Sequence, residues 1–228
     1  MFSSQHFKFF IMRGNLNHCV NTKTAMTYRN LLRSVLLLFV EERILRIRGI
    51  LALLIFTSFS ILWTSLVLPL SAAPYNLSHT AIGAFGLAGV AGALAATKAG
   101  QLADRGFGER TTGIALSLLL LSWLLIKLMN PSLFLLVIGV ILLDLAVQAV
   151  HVTNQSILFT VRPEARSRLT ASYMIFYSIG SATGAILSTN IYASYGWNGV
   201  CILGASVSAC ALLFWAMTLR RSSQLKED

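Results

Sequence analysis

From Gly49 onward the chain alternates long apolar runs with short polar breaks. The runs extend from Gly49 to Leu70, Thr80 to Thr97, Thr112 to Met129, Pro131 to Gln155, Leu169 to Ala193 and Gly199 to Leu219. An apolar bilayer core about 30 Å thick needs roughly 20 such residues per helix. Each run therefore predicts a membrane-spanning helix, and the connections leave no room for a soluble domain. The fold class this predicts is an all-α membrane protein with six transmembrane helices. Ahead of the runs, the apolar patch Val35 to Val40 is bracketed by Arg29, Arg33 and Glu41-Glu42-Arg43. That pattern suits an amphipathic helix lying on the membrane surface over residues 28–48. Residues 1–27 are polar and basic with no helical period and read as a poorly ordered leader. Residues 49–219 form the bundle, and 220–228 a short tail.

Composition supports this picture. The 228 residues are 56% hydrophobic and 11% charged, where a soluble domain has about 25% charged residues. A net charge of +10 would suit a nucleic-acid partner, but its distribution points to the lipid bilayer instead. With the amino terminus placed in the cytoplasm, the leader and connector are rich in Lys and Arg. Lys98, Arg105 and Arg110 mark one inner loop, Arg162, Arg166 and Arg168 the other, and Arg220, Arg221 and Lys226 the tail. The opposite loops carry no Lys or Arg, so the positive-inside rule places both termini in the cytoplasm. Lys127 is the exception, and its long stem lets the ammonium reach the far interface. Cys19, Cys201 and Cys210 have neither zinc-ligand nor disulfide-framework spacing and read as small packing residues. No pattern asks for a metal or cofactor.

Small residues recur in two spans. Gly83, Gly86, Gly89 and Gly92 lie at three-residue intervals in the second, and Gly180 and Gly184 form a GxxxG pair in the fifth. Such residues let helix backbones approach closely, either within the bundle or in self-association.

The fourth span carries candidate chemistry. Asp144 sits near its middle, where a carboxylate costs about 2.5 to 3.5 kcal/mol on insertion scales, and such residues usually face a bundle interior. Gln148, His151 and Gln155 follow at offsets of four, seven and eleven, which place them on one helix face, with Asn154 beside them. Two readings fit this stripe. Asp144 exchanges a proton during transport while Gln148 and His151 bind substrate or relay the proton, or the stripe is an inter-helical hydrogen-bond network. In the first span, Ser60, Trp63 and Thr64 offer a second polar patch, and its hydroxyls also suit helix-backbone bonding.

Between the second and third spans lies Gly100-Gln101-Leu102-Ala103-Asp104-Arg105-Gly106-Phe107-Gly108-Glu109-Arg110. Gly106 and Gly108 can take the positive φ that a sharp turn requires, and Asp104 can act on nearby helix amino termini. This Gly-x-Leu-Ala-Asp-Arg loop resembles the signature loop of major facilitator superfamily transporters. It departs from that pattern at Phe107, where the family has glycine, and at Glu109, where it has a basic residue. The loop Arg162-Pro163-Glu164-Ala165-Arg166-Ser167-Arg168 and the stretch Tyr195-Gly196-Trp197 are similar to bacterial drug- or sugar-efflux members. Pro163 breaks the helix there, and Ser167 or Thr170 is suited to cap the next one.

The resemblance implies the carboxyl-terminal six-helix half of a major facilitator bundle in a bacterial inner membrane. It implies a gating loop built on Gly100, Asp104, Arg105, Gly108 and Arg110, and a charge network on Glu164, Arg166 and Arg168. It also implies that Ser60, Trp63 and Thr64 face a central cavity. The expected function is that of a proton-coupled, efflux-type carrier of a small molecule whose identity the sequence does not specify. Such a half works as a homodimer or with a separate amino-terminal half. The alternative is a non-transporting remnant of an interrupted twelve-span transporter, favoured by a start near the middle of a family member and an unrelated leader. An intramembrane enzyme is disfavoured, because the chain has neither the Gly-x-Ser-Gly of rhomboid-type proteases nor H-E-x-x-H.

Overall fold

The computed structural model describes residues 37–129, 132–161 and 163–224. The leader, the start of the connector, Asn130, Pro131, Arg162 and the last four residues lie outside them. Helices α1 (Arg43–Ser65) and α2 (Val67–Ser71) are followed by α3 (His79–Gly83), which Ser78 caps by accepting from the Ala81 N–H at 3.2 Å. A 3₁₀ turn (Ala84–Leu87) leads into α4 (Ala88–Leu102), and a π-type turn (Ala103–Phe107) into α5 (Gly108–Lys127). Then come α6 (Leu133–Val161), a 3₁₀ turn (Pro163–Ala165) and α7 (Arg166–Gln224). Among the described residues there is no strand.

Four helical stretches are long and apolar enough to cross a membrane: Arg43–Ser71, His79–Lys127, Leu133–Val161 and Pro163–Arg220. The second and fourth, 49 and 58 residues long, far exceed the roughly 20 residues that one crossing needs. Each is broken by a glycine in a conformation that side chains disfavour. Gly106 has φ 85° and Gly196 has φ 61° with ψ −158°. This is an all-α, membrane-spanning fold.

The GxxxG pair is used inside the bundle. A Cβ on Gly180 would collide with the Leu53 carbonyl oxygen, and one on Gly184 with that of Thr57. Absence of side chains there lets α7 rest directly on α1, and the Thr57 hydroxyl lies 3.1 Å from the Gly180 carbonyl oxygen. Two other glycines seat tryptophans: Trp123 of α5 lies on Gly204, and Trp215 of α7 on Gly113. Trp123 Nε1 donates to Ser58 Oγ at 2.8 Å, and Ser58 lies 3.0 Å from Ser208 Oγ. A fully buried knot thus ties α1, α5 and α7 together.

Several sequence expectations shift. The spanning helix begins at Arg43, so the last residues assigned to the surface connector belong to α1, while 37–41 form a separate helical piece. Of the glycines in the second span only Gly92 approaches another helix, near the Asp144 backbone. Gly83, Gly86 and Gly89 have open space beside them. Helix α7 starts at Arg166, which puts Ser167 and Thr170 inside it rather than at its cap. Gly108 is helical with φ −55°, and a Cβ there would lie 3.1 Å from Ile157, so Gly106 alone makes the turn.

A candidate transport site on α6

Asp144 is 4% exposed near the middle of α6. Its Oδ1 accepts a hydrogen bond from Trp63 Nε1 of α1 at 3.1 Å. Two residues from separate sequence patches thus meet, because α1 crosses the face of α6 that bears the polar stripe. One turn along, Gln148 is half-buried beside α4, where only the missing side chain of Gly92 leaves it room. His151 follows, with Nδ1 3.1 Å from the Tyr173 hydroxyl of α7.

Around this row lies an aromatic wall that the sequence did not reveal. The His151 ring stands edge-on to Phe56, with centroids 5.1 Å apart, and Tyr177 packs against the same Phe56 at 4.1 Å. Phe59 bridges from Phe56 to Trp63, 6.1 Å from each. The line from His151 to Asp144 is therefore edged by rings from α1 and α7. The signal was present as Phe56, Phe59 and Trp63 spaced three and four apart on α1. Their meeting with Tyr173 and Tyr177 depends on helix packing.

Asn154 does not continue the stripe. It is fully buried, its Nδ2 donates to the Arg48 carbonyl at 3.4 Å, and its Oδ1 accepts from the Arg48 guanidinium at 3.5 Å. Arg48 also forms an ion pair with Glu109, whose other carboxylate oxygen accepts from Trp215 Nε1 at 3.0 Å. Four helices, α1, α5, α6 and α7, are joined by this cluster. Glu109, acidic where the family pattern has a basic residue, was its sequence signal. Gln155 is half-buried, Ser60 lies against Gly184, and Thr64 is exposed.

The 103–107 turn docks on the end of α6, where Asp104 Oδ1 accepts from Ser156 Oγ at 2.7 Å. Asp104 thus meets a side-chain hydroxyl rather than a helix amino terminus. A Cβ on Gly100 would lie 3.4 Å from Val152, Arg105 is exposed, and Arg110 lies over the Phe107 ring at 5.8 Å. Glu164, Arg166 and Arg168 are not joined by ion pairs among the described residues, and Arg166 stacks on Phe159 instead. Among those residues no His, Cys, Asp and Glu cluster could hold a metal ion. The site therefore offers one buried carboxyl beside an indole N–H, an imidazole–phenol pair and an aromatic wall. Such groups can bind an organic molecule and take up or pass a proton.

Residues 49–228 match the Major Facilitator Superfamily. The uncharacterized transporter YgaY of Escherichia coli O157:H7 is 47% identical over 196 residues, which are 86% of this chain and 50% of that protein. A Streptomyces coelicolor protein named probable transporter SCO4007 is 32% identical over 168 residues, 73% of this chain and 38% of its own length. The chain thus spans half or less of the length of these curated relatives. No solved structure matches it at a significant level.

Proposed function

Because the chain belongs to the major facilitator superfamily, a family of membrane transporters, we propose that it supplies one wall of a small-molecule pathway. Asp144 is the proton-exchanging group in this reading, and His151 with Gln148 contacts substrate or relays the proton. The observation that carries it is the Trp63–Asp144 hydrogen bond, which holds a deeply placed carboxyl on the aromatic-edged face of α6. Intramembrane carboxyls mark proton relays and substrate paths more often than structural sites.

Superfamily carriers bind substrate between two six-span halves. The breaks at Gly106 and Gly196 divide the four helical stretches here into six segments, one half of such a carrier. The opposite wall comes from a second copy or from a separate amino-terminal half. The distribution of Lys and Arg supports an orientation in the bacterial inner membrane with both termini and the 103–107 turn in the cytoplasm. Efflux driven by proton exchange is the proposed direction, in keeping with the Pro-Glu-Ala-Arg and Tyr-Gly-Trp stretches.

The test is reconstitution into proteoliposomes under an imposed pH gradient, with ethidium and lactose as probes of the drug and sugar classes. Wild-type protein, alone or with a matching amino-terminal half, is expected to move one of them. Asp144→Asn should reduce gradient-driven movement at least tenfold while inserting normally. Undiminished gradient-driven transport by that variant would refute the role of Asp144. Failure of the wild type in both configurations would favour the non-transporting remnant.

A further inference from the structure

We propose that the chain holds one two-chain anionic phospholipid astride α5, at the membrane surface that carries the 103–107 turn. Two grooves flank a single ridge of α5 formed by Ile114 and Leu118, which line both. The first, about 490 Å³, runs between α4 and α5 over α6, with Lys98 in its wall. The second, about 530 Å³, runs from Arg110 along α5 to Leu121 beside Trp215. Each lies within the roughly 300–1,000 Å³ of sites that bind small molecules.

Length, opening and charge all match this ligand. From Arg110 to Leu121 the ridge extends about 16 Å at 1.5 Å per residue, the depth of one leaflet of a core about 30 Å thick. Leu94 and Ile114 are 69% and 64% exposed, so the grooves open outward to the bilayer rather than into the bundle. Each groove holds one cation, and each cation belongs to the residues flanking the same turn. Neither Lys98 nor Arg110 has a carboxylate partner among the described residues. Two acyl chains in the grooves would bring one phosphate between two basic side chains. A zwitterionic head group carries its own cation beside the phosphate and gains less from that placement than one with net negative charge. The inference requires only that α4 to α6 cross a membrane, and it stands apart from the transport reading.

Native mass spectrometry of the detergent-purified protein tests it, with phosphatidylglycerol and phosphatidylcholine of identical chains in competition. One retained phosphatidylglycerol is expected, favoured about tenfold. The double variant Lys98→Gln/Arg110→Gln should lose that preference, while Lys127→Gln, at the far end of α5, should keep it. Equal retention of both lipids, a preference surviving in the double variant, or its loss in Lys127→Gln would each overturn the proposal. So would a dimer mass or bound detergent in place of lipid. Should the double variant not fold, wild-type melting decides: phosphatidylglycerol must raise the melting temperature more than phosphatidylcholine, and equal shifts refute the site.

Discussion

Arg48 shows how far a single residue's role depends on its neighbours. In the sequence it is one more basic residue before an apolar run. In the fold it is 5% exposed and shares its guanidinium between Glu109 and Asn154. A buried charge that loses its partner costs about 3 to 5 kcal/mol, whereas an exposed pair contributes about 0 to 1 kcal/mol. The Glu109 side chain is 48% exposed, so Glu109→Gln should fall between those limits and lower the melting temperature in detergent. Adding Arg48→Met to that variant should restore part of the loss, since the stranded charge is then gone. A double variant less stable than Glu109→Gln alone would mean that Arg48 stabilises through its packing and Asn154 rather than through the pair. Asp144 illustrates the opposite case: its depth and polarity were legible from position alone, but its partner Trp63 was not.

At the scale of elements, apolar run length located the helices well and their ends less well. Helix α1 begins six residues before the apolar run because Arg43 to Arg48 are good helix formers whose charges find partners or the membrane surface. The break in the last helical stretch was legible as Tyr195-Gly196-Trp197, yet its conformation was not. Gly196 has φ 61° and ψ −158°, a region essentially closed to residues with a Cβ. No atom from other parts of the bundle lies within 4 Å of where that Cβ would sit, so crowding by neighbouring helices plays no part. Gly196→Ala should therefore cost about 1 to 3 kcal/mol from backbone strain alone, read as a lower melting temperature. An unchanged melting temperature would show that the two segments of α7 can join by another turn. GxxxG is the converse case, a motif whose two readings only the contact with Leu53 and Thr57 could separate.

For the whole molecule, the notable feature is what α4 leaves uncovered. Gly89, Ala93 and Thr97 are exposed, on the flank of α4 away from the Lys98 groove. If a second copy or a separate half supplies the missing wall, this small-residue flank should be protected in membranes. With Cys19 and Cys210 replaced by serine, Ala93→Cys should react at least tenfold more slowly with a membrane-permeant maleimide than Leu124→Cys, which lies exposed on α5. Equal labelling would mean that α4 faces lipid and that the bundle stands alone in the membrane tested.

The sequence by itself determined that the chain is helical and membrane-spanning, and its Gly-x-Leu-Ala-Asp-Arg loop pointed to the family. These follow from local properties: the length of apolar runs, the cost of exposing backbone polar groups to lipid, and residues contiguous in one loop. Tertiary structure alone decided which side chains meet. Trp63 on Asp144, Tyr173 on His151, Arg48 between Glu109 and Asn154, and Trp123 on Ser58 all join residues far apart in the chain. Helix faces are set by a 3.6-residue period, but which faces touch is set by where glycines permit backbones and rings to close up. That choice is a property of the packed bundle, and no single helix encodes it.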